Sequence, residues 1–160
     1  MIVNIKGSTK KIRALVESAA WYYAEKLMSK RLYKTLELNI KLVRNLSKKE
    51  GAEGLCIWDE WETAKTPRGY SIDLDSAVSL RNLLINLAHE MVHVKQWAKG
   101  EMYEYSRSPS LVRFKKSVYD IDDLDYYDYP WEIEAFGRQE GLFLRMCEED
   151  NLTETIEVME

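Results

Sequence analysis

Residues 79–100, SLRNLLINLAHEMVHVKQWAKG, are the stretch that decides how this 160-residue chain is expected to fold. Ser79 is a favourable N-cap, and Gly100 is a favourable stop. Between them, apolar side chains recur at the spacing of one helix face. They are Leu80, Leu83, Leu84, Leu87, Met91 and Val92. The stretch therefore predicts a long helix with one broad apolar face buried in the core.

The predicted helix carries the chain's only two histidines, His89 and His93, with Glu90 directly after the first. Positions four apart lie on the same helix face, so both imidazoles can bind one metal ion, such as zinc. Glu90 is then placed to take a proton from a water that the metal activates. The alternatives are a surface pair of histidines without a metal, and a structural zinc site. Structural zinc sites are usually closed and rich in cysteine.

The composition predicts one soluble globular domain, because 46% of the residues are hydrophobic and 31% are charged. We expect this domain to cover residues 1–150 and an acidic, flexible tail to cover 151–160. No apolar run approaches the ~20 residues of a membrane span, and the N-terminus has no signal-peptide core. Cys56 and Cys147 belong to no paired spacing, which predicts reduced thiols in a cytoplasmic protein.

The charge is distributed unevenly along the chain. Residues 1–50 contain 12 Lys/Arg against 4 Asp/Glu, whereas residues 101–160 contain 6 against 16. A basic N-terminal surface could bind nucleic acid or an acidic protein. Charged helix faces exposed to water are the favoured interpretation, because no aromatic residues alternate with the basic ones.

The remaining pattern predicts an α+β fold. The predicted elements are a helix over 9–34 after Ser8, strands over 36–43, 54–58 and 70–75, the helix over 79–100, a short hairpin over 111–119, and a last helix over 131–149 with Pro130 in its first turn. The polar stretch 47–53 separates the first two strands, which favours antiparallel pairing of these two. We therefore expect a small, mostly antiparallel three-stranded sheet.

Two motifs, HEMVH at 89–93 and YPWEIEA at 129–135, together resemble the HExxH and ExxA motifs of gluzincin zinc metallopeptidases. The chain is most similar to small phage-encoded and ImmA-like members, over about residues 70–145. The resemblance implies a minimal zincin core in which a C-terminal helix supplies the third ligand. It also implies one Zn²⁺ per chain and hydrolysis of a peptide bond in a protein or peptide substrate. For a phage-encoded member, the compartment would be the host cytoplasm.

The resemblance also assigns residues. The glutamate of ExxA, here Glu132, would be the third ligand, and Glu90 would be the general base. Glu134 is the competing ligand, but it points about 200° away from Glu132 around a helix, so both cannot face one ion. Relatives have Asn or Asp where this chain has Phe136. Bracing of a histidine is then expected from an aspartate, and the candidates are Asp120, Asp122, Asp123, Asp125 and Asp128.

Several details stay open at this stage. A phenol from Tyr126, Tyr127 or Tyr129 could stabilise an oxyanion, or these rings could simply pack. Strand 70–75 could be a sheet edge that pairs with an extended substrate, or an inner strand. The Asp- and Tyr-rich segment 119–129 could cover the cleft or be a solvated loop. A zincin-fold binding module, which grips a protein or nucleic acid and cleaves nothing, is the rival function.

Overall fold

The computed structural model describes residues 1–59, 65–150 and residue 156. In that part of the chain the elements are, in order, β1 (Ile2–Lys6), α1 (Lys10–Leu27), α2 (Lys30–Tyr33), β2 (Glu37–Val43), α3 (Leu46–Glu50), β3 (Gly54–Trp58), β4 (Gly69–Asp75), α4 (Leu80–Ala98), β5 (Met102–Glu104), β6 (Leu111–Phe114), β7 (Ser117–Asp120) and α5 (Pro130–Glu149). The predicted α+β class is confirmed. Among these residues, no helix is long and apolar enough to cross a membrane.

The main sheet has four strands in the order β1-β2-β4-β3. β1 pairs with β2 in parallel, β2 pairs with β4 in parallel, and only β3 and β4 are antiparallel. The predicted antiparallel pairing of β2 with β3 is therefore wrong, because β4 lies between them. All three predicted strands exist, but they belong to a mixed sheet that also contains the unpredicted β1. β4 is an inner strand, and β3 forms an edge.

A second, smaller sheet has three antiparallel strands in the order β5-β6-β7. The predicted hairpin over 111–119 is confirmed as β6 and β7, which pair antiparallel from Leu111–Asp120 to Phe114–Ser117. Two short 3-10 helices over 121–123 and 126–128 follow, and Asp120 and Asp125 cap them by accepting backbone N–H groups. The Asp-rich segment is thus locally ordered by its own carboxylates.

The predicted first helix is interrupted. α1 ends at Leu27, Met28 has extended backbone angles, and the Ser29 side chain caps the short α2. Ser8 has a positive φ of 53°, and the N-cap is Thr9, whose side chain accepts the N–H of Ile12. A strong second cap, which the apolar periodicity alone does not reveal, ends the first helix early.

Helix α4 lies at the centre of the molecule, where it contacts α1, α5, β3 and β4. Every residue from Leu87 to Ala98 is buried, including the polar ones. A helix end that is buried on all sides must find partners for its polar side chains within the protein. α5 also begins at Pro130, as predicted, and packs along α4. The predicted tail over 151–160 lies outside the described residues except for residue 156.

Candidate metal centre

His89 and His93 project from one face of α4 toward the same point. Their Nε2 atoms are 3.1 Å apart, and both residues are buried. The helix is fixed at its start by Ser79, whose side chain accepts the N–H of Asn82. The i, i+4 spacing therefore produces the paired imidazoles that the sequence predicts.

Glu132 completes the group from the first turn of α5. Its carboxylate oxygens lie 3.2 Å from the Nε2 of His89 and 3.3 Å from the Nε2 of His93. The three residues are all buried, and their ligand atoms lie within 4.8 Å of one another, so the group could hold a metal ion. Glu134 points elsewhere and binds Lys95 and Gln96. The structure thus brings together the predicted trio and separates Glu134 from it.

The spacing of the three groups fits a metal ion. Ligand atoms around a tetrahedral zinc, with bonds of about 2.0–2.1 Å, lie about 3.3–3.4 Å apart. The distances here are 3.1, 3.2 and 3.3 Å. Lone pairs brought this close repel one another unless a cation lies among them. Burial alone would lower the pKa of His93, but the nearby carboxylates of Glu132 and Glu90 raise it overall.

The hydrogen bonds of Gln96 determine which ring nitrogen of His93 carries a hydrogen. The Nε2 of Gln96 donates to the carbonyl of Trp131 at 3.0 Å and to Glu134 at 3.1 Å, and neither group can donate in return. The Oε1 of Gln96 must therefore face His93, whose Nδ1–H donates to it at 2.9 Å. In the neutral ring, this leaves the Nε2 lone pair of His93 free for a metal.

The support of Gln96 rests on a buried ion pair. Lys95 is only 6% exposed and pairs with Glu134 at 2.8 Å and with Glu101. Glu134 also forms an ion pair with Arg138, one turn further along α5. Burial would raise the pKa of Glu134, but hydrogen bonds from Lys95 and Gln96 lower it below the ordinary value. Glu134 is therefore an ionised support for Gln96.

His89 has a different brace. Its Nδ1 lies 2.8 Å from the Oε1 of Gln139, which comes from α5, and the ring of Phe136 packs against it at 4.7 Å between centroids. The expectation that an aspartate between 120 and 128 braces a histidine is wrong, because glutamines occupy both Nδ1 positions. Neither glutamine was among the residues predicted from the sequence. The available signal was Gln96 itself, an uncharged polar residue one turn after His93 on a helix predicted to be buried.

Glu90 lies in the same cavity and is 5% exposed. Burial raises the pKa of Glu90, although the two histidines oppose this effect. Strand β3 approaches it closely at Gly54, where a Cβ atom would lie 2.5 Å from the Oε1 of Glu90. Any larger residue at position 54 would therefore clash with the carboxylate of Glu90 in its present position.

The cavity that contains the trio has a volume of about 820 Å³. Residues of β3, α4 and α5 line it, and its aromatic lining includes Tyr126, Tyr127 and Phe136. The hydroxyl of Tyr126 donates to Glu132 at 2.9 Å. Burial, followed by this hydrogen bond, raises the pKa of Tyr126 well above its ordinary value, so the phenol stays protonated. Tyr129 instead donates to the carbonyl of Ile121 and has a packing role.

Comparisons with protein-family models, with curated proteins and with solved structures gave no match for this chain.

Proposed function

We propose that this protein is a zinc-dependent peptidase of gluzincin type, with His89, His93 and Glu132 as zinc ligands and Glu90 as general base. One observation carries the proposal: two imidazole nitrogens and a carboxylate converge within hydrogen-bond distance in an 820 Å³ cavity that also contains a buried glutamate. A structural site would have no use for an open cavity or for Glu90 beside the first ligand.

Zinc held by the trio would acidify a water and polarise the carbonyl of a peptide. Glu90 accepts the proton of the attacking water and passes it to the amine that leaves when the C–N bond breaks. Burial, which raises the pKa of Glu90, brings its basicity closer to that of the groups with which it exchanges the proton. His93 keeps one tautomer throughout, because Gln96 holds its Nδ1–H.

Tyr126 is the best-placed phenol for stabilising the oxyanion. Its hydroxyl already lies at the ligand carboxylate, and it lines the cavity. A protonated phenol there can donate a hydrogen bond to the carbonyl oxygen as negative charge develops on it. We expect Tyr126→Phe to lower kcat by about 10²-fold with little change in KM. Tyr129→Phe is the control, since its hydroxyl bonds the backbone of Ile121.

Strand β3 provides a surface for an extended substrate. It is an edge strand of the main sheet, and Gly54, Leu55 and Cys56 line the cavity. No strand of the described residues pairs with its outer side, where backbone groups could hydrogen-bond to a peptide and give affinity without demanding a particular sequence. The edge role considered for strand 70–75 thus passes to β3, because β4 is an inner strand.

The metal is tested first, by elemental analysis of the purified wild type and of His93→Ala. We expect about one zinc per chain in the wild type and loss of the metal in the variant. Hydrolysis is tested next, with a mixture of random octapeptides and mass spectrometry of the products. Glu90→Gln should keep zinc and lose cleavage by at least about 10³-fold. Full activity in that variant, or a wild type that neither contains nor takes up zinc, would falsify the proposal.

A second test moves Glu90 without removing it. Gly54→Ala would push a Cβ into the space of the Glu90 carboxylate, so kcat should fall by about 10²-fold while zinc content stays the same. Gly137→Ala is the matched control, because a Cβ there meets nothing within 4 Å. Equal activities for the two variants would contradict the expected displacement of the Glu90 carboxylate.

A further inference from the structure

The charged side chains that line the cavity have one sign, apart from the two histidines. They are Glu53, Glu90, Glu104 and Glu132, and no described lysine or arginine lines it. The neighbouring segment 120–128 adds five aspartates and no basic residue. Two of these glutamates are already assigned to zinc and to proton transfer. The other two, Glu53 and Glu104, give the cavity negative charge that the proposed chemistry does not use.

Glu104 is the carboxylate without a described partner. It lies on β5 two residues after Met102, so both side chains lie on the same face of the strand, and both line the cavity. Within the described residues no ion pair or side-chain hydrogen bond holds it, whereas Glu53 accepts the amide of Asn86 at 2.9 Å. Glu104 is exposed to solvent, so a cationic group of a ligand can reach its carboxylate.

The cavity also has an exposed aromatic wall. Tyr127 is 72% exposed and Phe136 is 44% exposed, and their rings lie 6.2 Å apart beside His89. Exposed aromatic groups that line a cavity are typical of a binding surface. A third observation points to a ligand. The carboxylate of Glu90 lines the same cavity, is only 5% exposed, and has no hydrogen-bond partner among the described residues.

We propose that the substrate is a cationic segment of a polypeptide, in which a Lys or Arg side chain pairs with Glu104 and a large apolar side chain packs on Tyr127 and Phe136. This inference rests on the proposed peptidase function and names its substrate class. The methylene groups of a Lys or Arg side chain can pack against the apolar cavity wall near Met102 while the charged end reaches Glu104. Phosphate-bearing ligands are disfavoured, because the carboxylates of the cavity repel them.

The test measures preference in two independent ways. Cleavage is measured with octapeptide pools that carry Lys, Gln or Glu at one fixed position, each position in turn, and random residues elsewhere. Binding of the same pools, labelled with fluorescein, is measured on zinc-loaded Glu90→Gln by fluorescence anisotropy. At the position that faces Glu104, we expect the Lys pool to be cleaved about tenfold faster than the Glu pool and to bind about tenfold tighter.

The variants assign the preference to single residues. Glu104→Gln should remove the preference for Lys, and Glu104→Lys should reverse it, with zinc content unchanged. Glu17→Lys is the matched control, because Glu17 is exposed on α1 and does not line the cavity. Tyr127→Ala should weaken cleavage of pools with Phe or Leu about fivefold, whereas Ile133→Ala, at a residue that is 56% exposed and does not line the cavity, should not.

The outcomes separate the two proposals. Cleavage without a preference for Lys, or a Glu104→Lys variant with the wild-type preference, overturns this inference and leaves the peptidase intact. If zinc-loaded wild type cleaves no pool, the peptidase proposal fails, and the binding data then decide the inference alone. Equal binding of Lys and Glu pools would overturn it in that case too.

Discussion

The two histidines are equally buried but differently supported. Gln96, which holds His93, is completely buried and is itself held by Trp131 and Glu134. Gln139, which holds His89, is half-buried, and no further hydrogen bond is described for its side chain. One imidazole is therefore tied to the folded core, whereas the other is tied to a single side chain at the cavity. A metal ion bound here would therefore be held rigidly on the His93 side and less rigidly on the His89 side.

The largest expected effect separates ligation from support on α5. Glu132→Ala removes a proposed zinc ligand, so the dissociation constant for zinc should rise by at least about a thousandfold. Glu134→Ala removes only a partner of Gln96, so the increase should be about tenfold. Competition with a zinc chelator of known affinity measures both values. Equal effects would show that Glu132 is not the ligand.

The second-largest effect is expected from removing the buried cation of Lys95, which supports His93 through Glu134 and Gln96. Lys95→Met leaves Glu101 and Glu134 without their shared partner in the interior, which should lower the free energy of unfolding by about 3–5 kcal/mol. Urea unfolding of the metal-free protein measures this quantity. Lys26→Met is the control, since the Lys26–Glu149 pair is 37% and 50% exposed and should contribute little to stability. If both variants lose a similar free energy of unfolding, the ion pair of Lys95 does not anchor the support of His93 in the core.

A direct comparison of the two braces should give a smaller effect. We expect Gln96→Leu to weaken zinc binding by about 10–100-fold and Gln139→Leu by less than about tenfold. The visible spectrum of the cobalt-substituted protein supplies a readout that does not depend on catalysis. The spectrum should change in Gln96→Leu and stay close to that of the wild type in Gln139→Leu. A larger effect of Gln139→Leu than of Gln96→Leu would mean that His89, not His93, is held more rigidly.

Asp75 provides a reference far from both histidines. It accepts the N–H groups of Asn45, Ser47 and Ala77 and the hydroxyl of Ser47. Burial alone would raise the pKa of Asp75, but these hydrogen bonds lower it to about 2, below the value of about 3.9 in an unfolded chain. Its stabilising effect should therefore be complete above about pH 4 and be lost as the pH falls toward 2.

The measurement for Asp75 is urea unfolding of metal-free protein between pH 2 and 6. Asp75→Asn should cost about 2 kcal/mol at pH 6, and the difference from the wild type should shrink below pH 4. Zinc affinity at pH 7 should be unchanged. A difference that is constant with pH would show that the carboxylate charge is not what stabilises the loop.

The sequence predicts the parts of this molecule that depend on local spacing. The i, i+4 histidines, the apolar face of α4 and Pro130 at the start of α5 all act within a few residues, and each prediction agrees with the structure. The order of the main sheet depends on non-local pairing, and neighbours in sequence were wrongly paired. β1 was not predicted because its half-buried face carries only two apolar residues, Val3 and Ile5, which is too short an alternating pattern to indicate a strand. Gln96 and Gln139 carry no charge, so no charge pattern indicates their contacts.

The proposed ligands come from two helices, so a bound ion would link α4 to α5. His93 and Glu132 are 39 positions apart, so an ion shared between them would close a loop that contains the whole small sheet. Zinc would act there as a removable crosslink between α4 and α5. At a free zinc concentration of 100 times the dissociation constant, it would add about 2.7 kcal/mol to the free energy of unfolding. Metal supply would then set the lifetime of the folded protein as well as its activity.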